Sequence, residues 1–133
     1  MQSCGLDNEK EVSYFQYDFS RNGGAVGDIL VNGNPIPEGA IIDRGKIHVK
    51  TAVTSGGSAT VAIKAQGTGD ILAATAISSL TLNALLDPVT DGTAAKSIRT
   101  TSTIKALTFT VGTAALTAGV VLVAIEYYMA PGL

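Results

Sequence analysis

Charged and aromatic side chains are scarce in this chain, and residue types that build catalytic or metal sites are almost missing. Of its 133 residues 15% are charged, against about 25% in an average soluble domain. It has no tryptophan, one cysteine (Cys4) and one histidine (His48). One cysteine excludes an internal disulfide, and one cysteine with one histidine provides too few ligands for the usual zinc sites.

The charges that are present exclude a further class of partner. Nine Lys and Arg against eleven Asp and Glu give a net charge of −2, and no basic cluster is interleaved with aromatic residues. Nucleic-acid-binding surfaces need such a positive stripe, so we predict no nucleic-acid partner. No apolar run approaches the ~18 residues of a membrane span, so we also predict no membrane partner.

The few residues suited to chemistry do not form a recognisable motif. His48 lies between two lysines in an alternating run, which is typical of a solvated strand face rather than a catalytic base. Asp87 and Asp91 share a loop, but their spacing does not match a calcium-binding loop. The glycine pairs at 23–24 and 56–57 do not fit a phosphate-binding loop. We therefore predict no enzyme activity, no cofactor and no metal.

The strongest local pattern lies in residues 46–64. Residues 46–54 and 59–64 alternate apolar with polar side chains, and Ser-Gly-Gly-Ser separates them. This pattern predicts a β-hairpin with one apolar face. The positions on that face are Ile47, Val49, Thr51 and Val53 before the turn, then Ala59, Val61 and Ile63 after it.

Similar short runs recur along the chain. Residues 13–20 place Phe15, Tyr17 and Phe19 on one face, a pattern that predicts core packing. Residues 120–129 are apolar on both faces until Glu126 and Tyr128, which indicates a central strand or a subunit interface. Other predicted strands cover 27–31, 41–42, 79–82, 96–101 and 104–111. Residues 71–86 are predicted to begin as a loop with one helical turn, ahead of the strand at 79–82. A bulge or bend is expected at 43–45 and turns at 32–34 and 116–119.

Short strands with turn residues every 8–12 positions predict the fold class. We expect an all-β protein, an antiparallel β-sandwich that is jelly-roll-like. Residues 1–12 are polar without apolar periodicity, and we predict a short flexible N-terminal arm there, with one sandwich domain over residues 13–133. The scarcity of charge favours a subunit that covers part of its surface with other subunits.

Several stretches in order resemble a known group of proteins. The resemblance covers about residues 14–128 and concerns small structural proteins of tailed bacteriophages, of the head decoration (cement) type. The stretches are Tyr17-Asp18-Phe19, Asn22-Gly23-Gly24-Ala25-Val26-Gly27, Ile36-Pro37 with Ala40-Ile41-Ile42, residues 54–63, Asp70-Ile71-Leu72-Ala73-Ala74-Thr75 and Leu116-Thr117-Ala118-Gly119 ahead of an apolar strand that ends in Tyr127-Tyr128.

This resemblance implies a virion protein on the outer capsid surface, made in the host bacterial cytoplasm. Its expected partners are itself, as a homotrimer, and the major capsid protein. The resemblance transfers no residue-level site, so we assign contacts from the chain's own pattern. We predict capsid contacts from the arm at Asp7, Glu9, Lys10, Glu11 and Tyr14. We predict a trimer interface at Val121, Val123, Ile125 and Tyr127.

Two other functions remain open from the sequence. The chain as a receptor- or glycan-binding module of a phage fibre or tail tip would use Tyr14 and Tyr128 as contacts, since aromatic rings stack on sugars and apolar ligands. A cellular carbohydrate-binding domain unrelated to phage is the third possibility.

Overall fold

The computed structural model describes residues 11–129, which form nine strands and little helix. A four-residue helix, α1 (Phe19–Asn22), follows the first strand, and two 3-10 turns lie at Ile77–Ser79 and Ala94–Lys96. The strands are β1 (Glu11–Asp18), β2 (Gly27–Ile36), β3 (Ala40–Ser55), β4 (Thr60–Lys64), β5 (Leu72–Ala76), β6 (Leu85–Leu86), β7 (Ile98–Arg99), β8 (Ile104–Gly112) and β9 (Leu116–Met129).

The strands form one curled antiparallel sheet whose two halves pack against each other. The front half has the order β1-β9-β3, with β6 and β7 pairing along β3. The back half has the order β5-β4-β8-β2. Strand β2 connects the halves, because it pairs with β8 over most of its length and with β1 where Gly33 opposes Phe15. The predicted all-β, jelly-roll-like sandwich is thus confirmed.

Alternation along each strand puts the apolar side chains between the two halves. Phe15 and Tyr17 of β1 are 0% and 1% exposed and pack into the same core cluster as Phe109 of β8. On β8 the inward positions alternate with half-buried threonines, as the sequence predicts. The core therefore draws on both halves, so neither sheet half is complete without the other.

Strand β9 is the central strand of the front half, and β1 and β3 both pair with it antiparallel. This confirms the central-strand interpretation of residues 120–129. The turn predicted at 116–119 is wrong, because these residues belong to β9. Register shifts in the β3–β9 ladder accommodate Gly119, whose φ is +144°, within the strand. The chain turns instead at 113–115, where the Ala114 amide donates to the Gly112 carbonyl.

The predicted hairpin between residues 46–54 and 59–64 is wrong. Strand β3 pairs with β9 in the front half, whereas β4 pairs with β5 and β8 in the back half. The Ser-Gly-Gly-Ser turn therefore carries the chain from one half of the sandwich to the other. The predicted apolar face is correct except at Thr51, which is exposed because register shifts interrupt the alternation between Val49 and Thr54.

Some shorter predictions also change. The helical turn expected at the start of residues 71–86 is strand β5, because its backbone completes the edge of the back half beside β4. The strand expected at 79–82 does not form. These residues instead contact β3 through a single backbone hydrogen bond, in which the Val53 amide donates to the Leu80 carbonyl. The strand expected at 96–101 is shorter than predicted and covers only β7. The bulge expected at 43–45 is confirmed by a register shift between Ile42 and Arg44.

Two boundaries near the start of the chain also differ from expectation. Strand β1 begins at Glu11, so Glu11 and Val12, predicted as the end of the arm, pair with β9. Strand β1 ends at Asp18, where the carboxylate accepts a bond from the Ser20 amide and caps helix α1. The turn predicted at 32–34 lies inside β2, where the chain passes from β8 to β1.

Tyr17 contacts the back half through its ring and the end of helix α1 through its hydroxyl. The ring stacks on Phe109 with centroids 5.2 Å apart, and the hydroxyl donates to the Gly23 carbonyl. Burial of the phenol, with a smaller effect from the nearby Asp18 carboxylate, raises the pKa of Tyr17 to about 12.

We expect this raised pKa to make the protein lose stability at alkaline pH. Between pH 10 and 12 the unfolded chain gives up the phenolic proton while the folded chain retains it, so unfolding becomes more favourable. The stability is fully present below pH 10 and is lost as the pH rises through 12, by about 3 kcal/mol at most. Urea unfolding at several pH values measures it. A Tyr17→Phe variant lacks this loss, and an equally steep fall in that variant would contradict the assignment.

Candidate interaction surfaces

The residues predicted as a trimer interface lie inside the chain's own core. Val121, Val123, Ile125 and Tyr127 are 3%, 0%, 1% and 7% exposed. Their side chains fill the space between the front and back halves, so they are not available to a second subunit. Any subunit contact made by β9 must therefore use the alternate residues on the opposite side.

The outward side of the front half carries three aligned cross-strand rows, and we call this surface the outer front face. Each row is centred on β9 and extends to β1 on one side and β3 on the other. The rows are Val12–Glu126–Arg44, Tyr14–Ala124–Lys46 and Gln16–Leu122–His48, the last continuing to Leu85 on β6.

The middle of the outer front face is apolar and only partly covered. Leu122 and Ala124 are half-buried, while Tyr14 beside Ala124 is 50% exposed and Leu85 beyond His48 is 71% exposed. Large exposed apolar side chains thus lie on both flanks of a central apolar strand. We call Val12, Tyr14 and Gln16 the β1 flank, and Lys46, His48 and Leu85 the β3 flank.

The two flanks differ in charge, since the β1 flank has no charged side chain and the β3 flank carries Lys46. Lys46 forms an exposed ion pair with Asp87 at 2.8 Å, and exposed pairs contribute little to stability. Among residues 11–129 no acidic side chain pairs with Lys50.

Of the predicted capsid contacts, Glu11 and Tyr14 lie among the described residues. Asp7, Glu9 and Lys10 lie outside the described residues. Glu11 lies in β1 opposite Tyr127, and Tyr14 lies in the middle of β1 opposite Ala124. Tyr14 therefore belongs to the outer front face and not to an arm.

The outward side of the back half differs in composition, and we call it the outer back face. Its central strand β8 presents half-buried Thr108 and Thr110, and Thr110 donates to the Asp28 carboxylate at 2.9 Å. Leu30 and Lys64 oppose Thr108 from either side. Leu30, at 67% exposed, is a large apolar side chain with Asp28, Thr108 and Lys64 as its neighbours on this face, and an isolated one of this kind is ordinary for a protein surface.

An open polar cleft lies at one end of the front half, between β3, β9 and the loop that follows β6. Three acidic side chains line it. Asp87 pairs with Lys46, Asp91 accepts from Thr93 and lies 3.7 Å from Lys96, and Glu126 opposes Arg44 in the β3–β9 ladder. The Thr93 hydroxyl and, to a smaller extent, the Thr93 amide donate hydrogen bonds to the Asp91 carboxylate, and these bonds lower the pKa of Asp91. Within residues 11–129 no group of three or more His, Cys, Asp or Glu side chains is placed to hold a metal.

Two further features of the described region bear on function. An internal void of about 10 Å³ lies between the halves and is lined by apolar side chains, including Tyr17 and Phe109. No helix between residues 11 and 129 has the length and hydrophobicity needed to cross a membrane. His48 is half-buried on the outer front face between Leu122 and Leu85, as the strand-face interpretation predicts.

This chain is similar to known proteins in its fold and not in its sequence. No protein-family model matches the chain, and no curated protein matches its sequence. Among solved structures, the same all-β architecture occurs in chains of phage capsids.

Two such structures are similar to this chain over nearly its whole length. A chain of the cyanophage Pam1 capsid asymmetric unit has a TM-score of 0.69 and 19% identity, with 98% of this chain and 91% of that chain covered. A chain of the Ralstonia phage GP4 capsid has a TM-score of 0.57 and 12% identity, with 99% and 92% covered. At these identities the likeness establishes a common fold.

Proposed function

We propose that this chain is a non-enzymatic virion structural protein, a capsid decoration or cement protein. In this proposal it binds as a homotrimer on the outer head surface and stabilises the shell. The observation that supports it is the structural likeness to chains of two phage capsids. In both comparisons more than 90% of each of the two chains is covered.

The proposed partners are other copies of this chain and the major capsid protein. Three linked subunits engage three capsid sites at once, so weak individual contacts give a high combined affinity. Binding to the mature shell and not to its dissociated subunits stabilises the shell by mass action, by about 2.7 kcal/mol per site at a hundredfold excess over Kd. We propose Glu11, with Asp7, Glu9 and Lys10, as part of the capsid contact.

The test uses heads assembled from the major capsid protein of the same virus, with and without this chain. We expect the chain to co-sediment with the heads and to raise the temperature at which half of them survive heating or chelation. Bovine serum albumin added at equal mass is the control for nonspecific protection. Equal survival of decorated and undecorated heads would remove the cement role.

A receptor- or glycan-binding module of a fibre or tail tip is the second candidate. Tyr14 and Tyr128 do lie on the same outward side of the front half, opposite Ala124 and Ile41 respectively. Their rows are four positions apart along β9, so the two rows are separated by about 13 Å along the strand. Copy number distinguishes the two functions, since many copies per virion favour cement and a few at the tail favour adhesion.

A further inference from the structure

Three dipeptides of the chain place a glycine directly after an asparagine or an aspartate: Asn22-Gly23, Asn32-Gly33 and Asp91-Gly92. In such a dipeptide the glycine amide nitrogen can attack the side-chain Cγ of the preceding residue and close a five-membered ring. Glycine favours this reaction, because it has no side chain to obstruct the attack and its backbone is conformationally free. A folded protein slows the reaction where hydrogen bonds hold the amide nitrogen and the side-chain group apart.

The structure holds both reacting groups of Asn22-Gly23. The Gly23 amide donates to the Phe19 carbonyl at 2.9 Å, and the Asn22 Oδ1 atom accepts from the Asp18 amide at 2.9 Å. Both bonds span helix α1, so closing the ring would require this helix to open. Each bond therefore raises the barrier to reaction at Asn22.

Asp91-Gly92 is held in the same way. The Gly92 amide donates to the Asp43 carbonyl at 2.7 Å. The Asp91 carboxylate accepts from the Thr93 amide at 3.1 Å and from the Thr93 hydroxyl at 2.7 Å. The structure thus restrains two of the three dipeptides through hydrogen bonds to both reacting groups.

Asn32-Gly33 lacks these restraints on its side chain. The Asn32 side chain is exposed, and within residues 11–129 it has no hydrogen-bond partner. The β2–β8 ladder shifts register between Asn32 and Ile36, so three residues of β2 lie opposite one residue of β8. Residues in such a bulge lie outside the regular hydrogen bonding of the ladder. The pairing of this segment with β1 is limited to the position where Gly33 opposes Phe15.

We propose that Asn32 is a site of spontaneous deamidation. The Gly33 amide nitrogen forms a bond to the Asn32 Cγ atom and loses its proton. The bond from Cγ to the side-chain nitrogen breaks, and that nitrogen leaves with the proton as ammonia. Water then opens the resulting succinimide at either of its two carbonyls, which gives aspartate or isoaspartate at position 32. Water is the only co-reactant.

The reaction changes both charge and backbone where β2 passes from β8 to β1. The net charge of −2 becomes more negative by one for each copy that reacts. Isoaspartate also adds a methylene group to the main chain next to Gly33, where a Cβ atom would already lie 2.2 Å from the Tyr14 carbonyl oxygen. We therefore expect the isoaspartate form to unfold at lower urea than the aspartate form, for which Asn32→Asp is the reference.

The experiment follows amide loss at each asparagine of the full-length protein during incubation at mildly alkaline pH. Fragment-ion mass spectrometry assigns each conversion to a residue. In urea we expect Asn22 and Asn32 to react at similar rates, because both precede glycine. In the folded protein we expect Asn32 to react on the order of tenfold faster than Asn22, which is the effect of the two hydrogen bonds that hold Asn22-Gly23.

Two controls accompany this measurement. Asn34 precedes Pro35, which has no amide N–H, so Asn34 should keep its amide. In an Asn32→Gln variant the longer side chain would have to close a larger ring, so conversion at this position should be lost while conversion at Asn22 is unchanged. Equal rates at Asn22 and Asn32 in the folded protein, or an Asn32 that reacts only in urea, would overturn the inference.

Discussion

Replacing Gly33 by alanine should destabilise the protein by roughly 2–3 kcal/mol, within the range that overpacked interiors show. Gly33 is where β2 leaves β8 and meets β1. A Cβ atom there would lie 2.2 Å from the Tyr14 carbonyl oxygen and 2.6 Å from the Phe15 ring. The backbone oxygen cannot rotate away, and the ring is fixed in the core, so the crossing strand itself has to move.

The measurement is urea unfolding followed by far-ultraviolet circular dichroism, at one protein concentration because assembly affects apparent stability. Gly56→Ala is the matched control. Its Cβ would have no atom within 4 Å, so we expect a change within about 0.5 kcal/mol. Equal midpoints for the two variants would show that the crossing tolerates a side chain.

Replacing Phe109 by alanine should cost about 3–5 kcal/mol, the usual range for a buried phenylalanine. Phe109 is 1% exposed in the central strand of the back half, and its ring stacks on Tyr17 of the front half at an interplanar angle of 16°. The variant removes both the ring's own burial and the contact that joins the halves. A small domain is stable by only about 5–15 kcal/mol in total, so much of the population should unfold at modest urea.

Thr108→Ala is the matched control on the same strand, since Thr108 is half-buried on the outward side. Its cost should stay below about 1 kcal/mol, the span of strand propensities. A Phe109→Ala variant that loses no more than Thr108→Ala would contradict the role given to the ring pair. A Tyr17→Ala, Phe109→Ala cycle should show a coupling of about 0.5–1.5 kcal/mol beyond lost area.

Alternation in the sequence predicts which side chains face inward, because this depends on neighbours two residues apart. In β8 the inward positions Leu107, Phe109 and Val111 follow directly from the pattern. The fold class follows too, since many short alternating runs separated by turns have few other solutions.

Strand pairing is not predictable in the same way, because it depends on residues far apart in the chain. A Gly-Gly turn between two alternating runs is typical of a hairpin, yet β3 and β4 find longer partners in β9 and β8. The role of Gly33 also could not be predicted, because it depends on a strand distant in the sequence. Its neighbours Asn32 and Asn34 indicate a turn, whereas the glycine is needed because another backbone passes close to it.

The candidate site was predictable only in part. Strand β9 is apolar on both faces, so its pattern places Val121, Val123, Ile125 and Tyr127 together without showing which face the chain covers itself. The structure assigns these four to the core and leaves Leu122 and Ala124 outward. Tyr14 was a candidate contact from its ring chemistry, but its position beside Ala124 required the β1–β9 register.

The position of β9 has a consequence for how the chain is made. Both neighbours of β9 in the front half, β1 and β3, are synthesised well before it, and β1 begins at Glu11 opposite Tyr127. Until β9 leaves the ribosome these strands have long unpaired edges, and pairing over such sequence distances is slow. Each nascent copy therefore remains open to edge-to-edge aggregation until β9 has been translated.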